Sequence, residues 1–399
     1  MNIRRGGFLL FITIALLALS VAGQDQPPAQ SPPASTPQPL PNPSMTAPLS
    51  TAAPPHTFSA GPFGTVAITG ILSGMGVVQN NWLPSDKSTH WDVSNAQIFL
   101  QKTTGWFQFY LQGGAYNLPS VGTAFLKTTD TLTGFYGPFP QGYLKLVKGN
   151  LNVEVGALPT LIGAEYTYTF ENMNVERGIL WNQENAVNRG IQVSDTFKKL
   201  SLTVSWNDGF YSNVYNWISG SAAYAFNSAN TLSLVAMGNA GQTTTVPTNI
   251  ATPFLQNNGQ IYNVLYTYSH ESWTLTPYWQ YTRVPANASL GILEKGSTNG
   301  GALLLNYNFK HGISLAVRPE YITSSGSTTD LLNLTLLSYG PGSNAFAFTV
   351  TPTYQKAGFF LRGDLSVVDA RSFTPGLAFG PIGLKSKQTR GLVEAGFMF

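Results

Sequence analysis

From Thr65 onward the chain alternates apolar and polar residues with a period of two, and no segment carries a convincing 3.6-residue apolar repeat. The C-terminus is the clearest case. Thr389, Gly391, Val393, Ala395, Phe397 and Phe399 fall on one face, and Gln388, Arg390, Leu392, Glu394, Gly396 and Met398 on the other. Phe359, Leu361, Gly363, Leu365 and Val367 alternate with Phe360, Arg362, Asp364, Ser366 and Val368 in the same way, and Leu200, Leu202, Val204 and Trp206 with Ser201, Thr203, Ser205 and Asn207. The pattern predicts about 16 strands (14–18), placed at 65–78, 91–101, 105–116, 141–149, 150–158, 187–197, 199–207, 217–227, 229–239, 259–269, 272–283, 298–309, 312–323, 344–356, 358–369 and 388–399. Short turns follow the even-numbered strands and longer polar stretches the odd-numbered ones. This is the asymmetry of a transmembrane antiparallel up-and-down β-barrel of the all-β class, with both termini on the periplasmic side. A sandwich would pack its apolar face on a second sheet, and a propeller would repeat every ~40–50 residues, which this chain does not.

The N-terminus departs from that pattern. Residues 1–23 carry Arg4 and Arg5, an apolar run Phe8–Leu19 too short to span a bilayer, and a small-residue site at Val21-Ala22-Gly23. They read as a cleavable signal peptide. Residues 24–58 hold 11 of the 26 prolines and one charge, Asp25, and read as a disordered Pro-rich periplasmic spacer. The barrel is then expected over 59–399.

Composition sharpens the membrane reading. Charged residues are 10% of the chain against roughly 25% in ordinary domains, while aromatics reach 13% and Gly numbers 40. Few charges with many aromatics suit a wall facing lipid on one side and water on the other. Tyr262, Tyr266, Tyr268, Trp273, Tyr281, Phe397 and Phe399 lie toward strand ends, where interfacial girdles form. Net charge is +3, and +1 once Arg4 and Arg5 leave with the signal, so no nucleic-acid partner is implied. Cysteine is absent, which excludes thiolate metal sites and a lipidated N-terminal cysteine. Histidine is limited to His56, His90, His270 and His311, and Ser269-His270-Glu271 is a predicted turn, so neither an enzyme nor a cofactor is expected.

Several phrases, in order along the chain, carry a family resemblance. These are Gly156-Ala157-Leu158-Pro159-Thr160-Leu161-Ile162-Gly163-Ala164-Glu165, Asn188-Arg189-Gly190-Ile191-Gln192-Val193-Ser194, Asn207-Asp208-Gly209, Arg318-Pro319-Glu320-Tyr321 and Leu361-Arg362-Gly363-Asp364-Leu365. Over most of 60–399 the chain resembles the putative beta-barrel porin-2 (OmpL-like) family of bacterial outer-membrane porins. It departs at Pro319, where glycine is expected, and at Asp364, where glutamate is commoner. The resemblance implies an outer-membrane channel and no settled substrate. Phe399 looks like the terminal aromatic that such barrels offer to the insertion machinery.

Selectivity in a barrel comes from pore width and lumenal charge, and strand charges pay least when turned inward. Parity makes Lys145, Glu154, Arg318, Glu320, Arg362, Asp364, Arg390 and Glu394 the pore-lining candidates, with Arg318/Glu320 and Arg362/Asp364 as opposite-sign pairs about 7 Å apart that either neutralise one another or form a charge ladder orienting ions. Arg189 and Asp195 fall on the apolar parity and are expected near the rims. The stretch 159–186 is either an ordinary outer loop or a constriction loop folded into the barrel, in which case Glu165, Tyr168, Glu171, Glu176, Arg177 and Trp181 are its candidate residues. Two channel readings follow: general diffusion of small hydrophilic solutes or ions, or a substrate-selective channel whose Tyr166, Tyr168, Phe170 and Trp181 stack sugars. A plugged structural or adhesive barrel is the third. The expected partners are outer-membrane lipid, the solutes and the insertion machinery, with a homotrimer common at this strand number.

Overall fold

A computed structural model describes Leu49 and residues 55–244, 249–329 and 336–399; the signal and nearly all of the spacer lie outside these residues. Seventeen strands are present among them. They are β1 (His56–Ser59), β2 (Thr65–Gln79), β3 (Thr89–Lys102), β4 (Phe107–Tyr116), β5 (Gln141–Lys148), β6 (Leu151–Pro159), β7 (Val187–Phe197), β8 (Leu200–Asn207) and β9 (Trp217–Asn227). β10 (Asn230–Asn239), β11 (Gln260–His270), β12 (Trp273–Val284), β13 (Gly296–Asn308), β14 (Ile313–Ser324), β15 (Asn344–Lys356), β16 (Phe359–Arg371) and β17 (Lys387–Met398) complete the set. One short helix, α1 (Thr128–Gly134), lies between β4 and β5.

Strands β2–β17 pair antiparallel with their sequence neighbours, and β17 returns to β2 over Arg390↔Gln79 to Met398↔Ile71. The barrel is therefore closed at 16 strands, each within two residues of its predicted bounds. Closure removes both sheet edges, which a membrane-embedded sheet cannot leave unpaired. β1 adds to β2 from His56↔Ile68 to Ser59↔Thr65, just past the end of β17. His56–Phe58 is thus strand and not spacer.

Tight turns close one end of the barrel. Lys198, Glu271, His311 and Ala357 hold positive φ there, between 52° and 67°, a conformation uncommon outside glycine. The two-residue hairpins at Lys198, Glu271 and Ala357 need it, because turns of that hand match the twist of the strands, while His311 lies in a four-residue turn. At the other end, connections of nine residues or more carry the remaining mass. Burial follows the predicted parity: in β16 Phe360, Arg362, Asp364 and Ser366 are buried while Phe359, Leu361 and Leu365 are exposed outward. Phe399 exchanges hydrogen bonds with Gly70 (2.9 and 3.0 Å), and a Cβ on Gly70 would fall 2.3 Å from its ring. The ring lies over the glycine, partly exposed on the outer wall.

The inner wall is less polar than alternation predicts. Leu161, Ile162, Met173, Ile179 and Leu180 pack with inward Val235, Met237, Ile261, Leu265, Leu304, Ala316, Ile322, Ala345, Ala347, Val368 and Ala370. These apolar inward positions receive a buried segment, and that segment is the candidate site.

Candidate functional site: the loop across the lumen

Residues 160–186 leave the lumenal end of β6, cross the barrel and return to β7, and almost all of them are buried. They reach β14, half the barrel circumference away from β6, and also β16 and β17, which lie nearer to β6 through the closure at β2. An irregular buried loop must find partners for its peptide groups. Here the opposite wall supplies them as charges. Arg362 donates to the carbonyls of Thr169 (2.8 Å), Asn172 (2.6 Å) and Met173 (2.9 Å). Arg318 donates to the Glu176 carbonyl (2.8 Å) and pairs with Glu165 (2.5 Å) and Glu320 (3.0 Å). Arg390 pairs with Glu176 (2.6 Å) and donates to the carbonyls of Ser120 (3.0 Å) and Thr123 (2.7 Å), tying in the preceding loop. Carboxylates accept the loop's own donors: Asp364 from Glu176 N (2.7 Å), Glu394 from Thr169 Oγ1 (2.7 Å) and Glu320 from Ile179 N (3.3 Å).

Neutral groups hold the other flank. Asn263 accepts from Gly163 N (3.0 Å), Gln280 donates to the Leu180 carbonyl (3.0 Å), and Tyr278 bonds the Glu184 carboxyl. Within the loop, Asn172 Nδ2 donates to the carbonyls of Tyr166 and Tyr168, and Glu171 accepts from Tyr168 N across a 3₁₀ turn. Two glycines make room. A Cβ on Gly178 would meet Glu320 Oε1 at 1.9 Å, and one on Gly163 would meet Glu184 Oε2 at the same distance.

Burial acts on the titrating groups of the loop. It raises Glu184 from its ordinary 4.5 to about 8, with the Tyr278 hydrogen bond pulling back. Burial also raises Glu165, against the opposing pull of Arg318. It lowers Arg177 to about 10, against the pull of Glu165.

A loop clamped across a 16-stranded lumen is the architecture of a porin, and comparison with known proteins agrees. The model of the family described as Putative beta-barrel porin-2, OmpL-like, matches residues 65–399. The chain belongs to that family. No curated protein matches this porin. Among solved structures it is similar to the anion-selective porin from Comamonas acidovorans (14% identity, 84% of this chain and 99% of that one, TM-score 0.57). It is also similar to the outer-membrane channel DcaP of Acinetobacter baumannii (11%, 84% and 97%, 0.53) and to the trimer form of OmpT, an outer-membrane protein of Vibrio cholerae (10%, 84% and 99%, 0.53). At these identities the likeness concerns the fold.

The eight lumenal charges of this porin all face inward, with one correction. Lys145 and Glu154 pair across β5 and β6 (3.0 Å) and stay partly accessible, whereas Arg318, Glu320, Arg362, Asp364, Arg390 and Glu394 are buried beneath the loop. They clamp the loop; they do not line an open water column. The Arg318/Glu320 pair forms, but Arg362 pairs with its cross-strand neighbour Glu394 (3.6 Å), not with Asp364. Directly opposed residues lie ~4.5–5.5 Å apart at Cβ, closer than positions i and i+2 on one strand.

Arg189 and Asp195 do face outward near strand ends: Arg189 pairs with Asp208 (2.7 Å) and lies over the Tyr211 ring (3.8 Å), while Asp195 accepts from Thr196 N (2.7 Å) beside the turn at Lys198. Two of the aromatic loop residues, Tyr168 and Phe170, are spent on packing. Tyr168 sits edge-on to Tyr116 (5.3 Å) and Phe170 contacts Phe99 (5.6 Å), so these rings anchor the loop to β3 and β4 instead of presenting faces to a sugar. Sequence reasoning missed Asn95, whose amide donates to Thr169 Oγ1 (2.7 Å) and Glu394 (3.2 Å), and it missed Asn172, Glu184, Asn263 and Gln280. The signal available was amides and carboxylates at inward parity or inside the candidate loop, which bulk charge counting overlooks.

Proposed function

We infer that this chain is an outer-membrane porin that passes small hydrophilic solutes passively, with 160–186 as its constriction. The carrying observation is the loop held across a closed 16-stranded lumen by Arg318, Arg362 and Arg390. Glu165, Tyr168 and Glu176 hold the constriction from within, Glu171, Trp181 and the Arg177 stacked on the Trp181 ring shape its opening, and Lys145 and Glu154 line the accessible wall beside it. Residues 1–23 direct export, 24–55 tether the barrel on the periplasmic side, and the outward apolar belt meets outer-membrane lipid. Phe399 serves the insertion machinery. The protein assembles as a homotrimer, a reading supported by the trimer form of a similar barrel.

Purified protein in a planar bilayer should give stepwise, ohmic conductance. A barrel that is folded, judged by its shifted SDS mobility before boiling, and yet never conducts would sink this function. The near-complete burial of the loop favours one second reading, a plugged structural barrel. The same conductance measurement separates the two.

A further inference from the structure

Four arginines are fully buried inside the barrel among the described residues: Arg177, Arg318, Arg362 and Arg390. Three of them are bonded to carboxylates or carbonyls. Arg177 is the exception. Its backbone is fixed, with N donating to the Pro119 carbonyl (3.0 Å) and its carbonyl accepting from Val121 N (2.9 Å). Its guanidinium, however, has no acceptor at Nε, Nη1 or Nη2. Its neighbour is the ring of Trp181, 4.8 Å from Cζ, and the indole Nε1 of Trp181 also lacks an acceptor.

The carboxylates whose charge reaches Arg177 are committed elsewhere. Glu165 serves Arg318 and Gly178 N, Glu176 serves Arg390 and Ser366, and Glu171 accepts from Tyr168 N. A guanidinium offers five donors, and burying them without an acceptor is costly. A purely structural arginine would have been given a carboxylate, as the other three buried arginines were given acceptors. What Arg177 and Trp181 present together is a donor-only pair on the loop that crosses the lumen. Trp181 is itself partly exposed, at the edge of the otherwise buried loop.

We propose that Arg177 and Trp181 form a transit site for a small oxyanion, the carboxylate or phosphate group of a permeating solute. The guanidinium fork takes two oxygens of the anion side by side, a geometry that ammonium cannot match. The Trp181 N–H takes a further oxygen. The anion replaces water as the acceptor while it passes. This inference rests on the channel function above.

The folded full-length barrel is titrated with sodium phosphate and with sodium acetate, by calorimetry and by indole fluorescence. Saturable binding is expected, weakened about tenfold or more by Arg177→Gln. Trp181→Phe keeps the ring and removes the donor, and should cost less. In planar bilayers phosphate should reduce the potassium chloride current saturably, and Arg177→Gln should abolish that block and move the reversal potential toward cations. Arg177→Lys should keep the reversal potential while weakening the block, and it carries the test if the glutamine variant does not fold. Wild-type protein that conducts without binding either anion overturns the site alone. An unchanged block and reversal potential in Arg177→Gln, as expected if water is the only acceptor, overturns it too. Binding without conductance supports the site and overturns the channel.

Discussion

The two walls of this lumen are built from different chemistry. Strands β14, β16 and β17 turn Arg318, Glu320, Arg362, Asp364, Arg390 and Glu394 inward, and the crossing loop covers all six. Strands β8, β9 and β10 turn Ser201, Thr203, Ser205, Ser219, Ser221 and Ser233 inward, with no ionisable group among them. Most of those hydroxyls remain partly accessible. Charge density therefore marks where the loop is fastened, and not where solute passes. Wall arginines spent on loop carbonyls have little field left for ions, so selectivity falls to the loop itself.

The comparison breaks most readily at Arg318. Arg318→Ala leaves Glu165 and Glu320 buried without their cation, a loss of about 3–5 kcal/mol for a broken buried pair. The 16 strands should still close while the loop leaves the wall, so single-channel conductance should rise severalfold. Unchanged conductance together with unchanged amide protection over 160–186 would refute the clamp.

Gly178→Ala should act in the same direction and less strongly. Its methyl meets the Glu320 carboxylate, and overpacking of this kind costs about 1–3 kcal/mol. Conductance should rise less than in Arg318→Ala, and a tighter loop by hydrogen exchange would count against the close fit.

The neutral flank responds to pH through Glu184. Its folded-state value of about 8 lies above the ordinary 4.5. The folded state thus holds a proton that the released state gives up, and the stabilisation is complete below about 4.5 and lost as pH rises through about 8. Loop protection should fall across that window, and Glu184→Gln should flatten the profile. A wild-type profile that rises with pH would reverse the assignment.

Ser221→Ala on the neutral wall should change stability by no more than about 0.5 kcal/mol and leave conductance unaltered. A large effect there would erase the distinction between the walls.

Much of the fold was legible because lipid on one side of a sheet imposes a strict period of two. Each strand carries that record locally, and Val393, Ala395 and Phe397 declare the outer face without reference to any partner. The turns were legible for a similar reason, since Lys198 and Ala357 mark short gaps between alternating runs. The site was legible only in part. Parity points Arg362 and Asp364 inward, yet it cannot say that Glu394 is the nearer partner of Arg362, because registry across strands is not local information. Nor can it say what covers an inward charge.

The sequence by itself determined that this chain is a 16-stranded barrel with inward charges and a candidate loop at 159–186. Those features follow from periodicity, which each short segment expresses independently. The tertiary structure alone decided that Arg318, Arg362 and Arg390 fasten that loop, that Tyr168 and Phe170 pack against Tyr116 and Phe99, and that Arg177 is left without an acceptor. Such facts depend on which distant groups meet when the sheet closes on itself. Phe399 spans both levels: its parity places it toward lipid, and closure onto β2 lays its ring over Gly70.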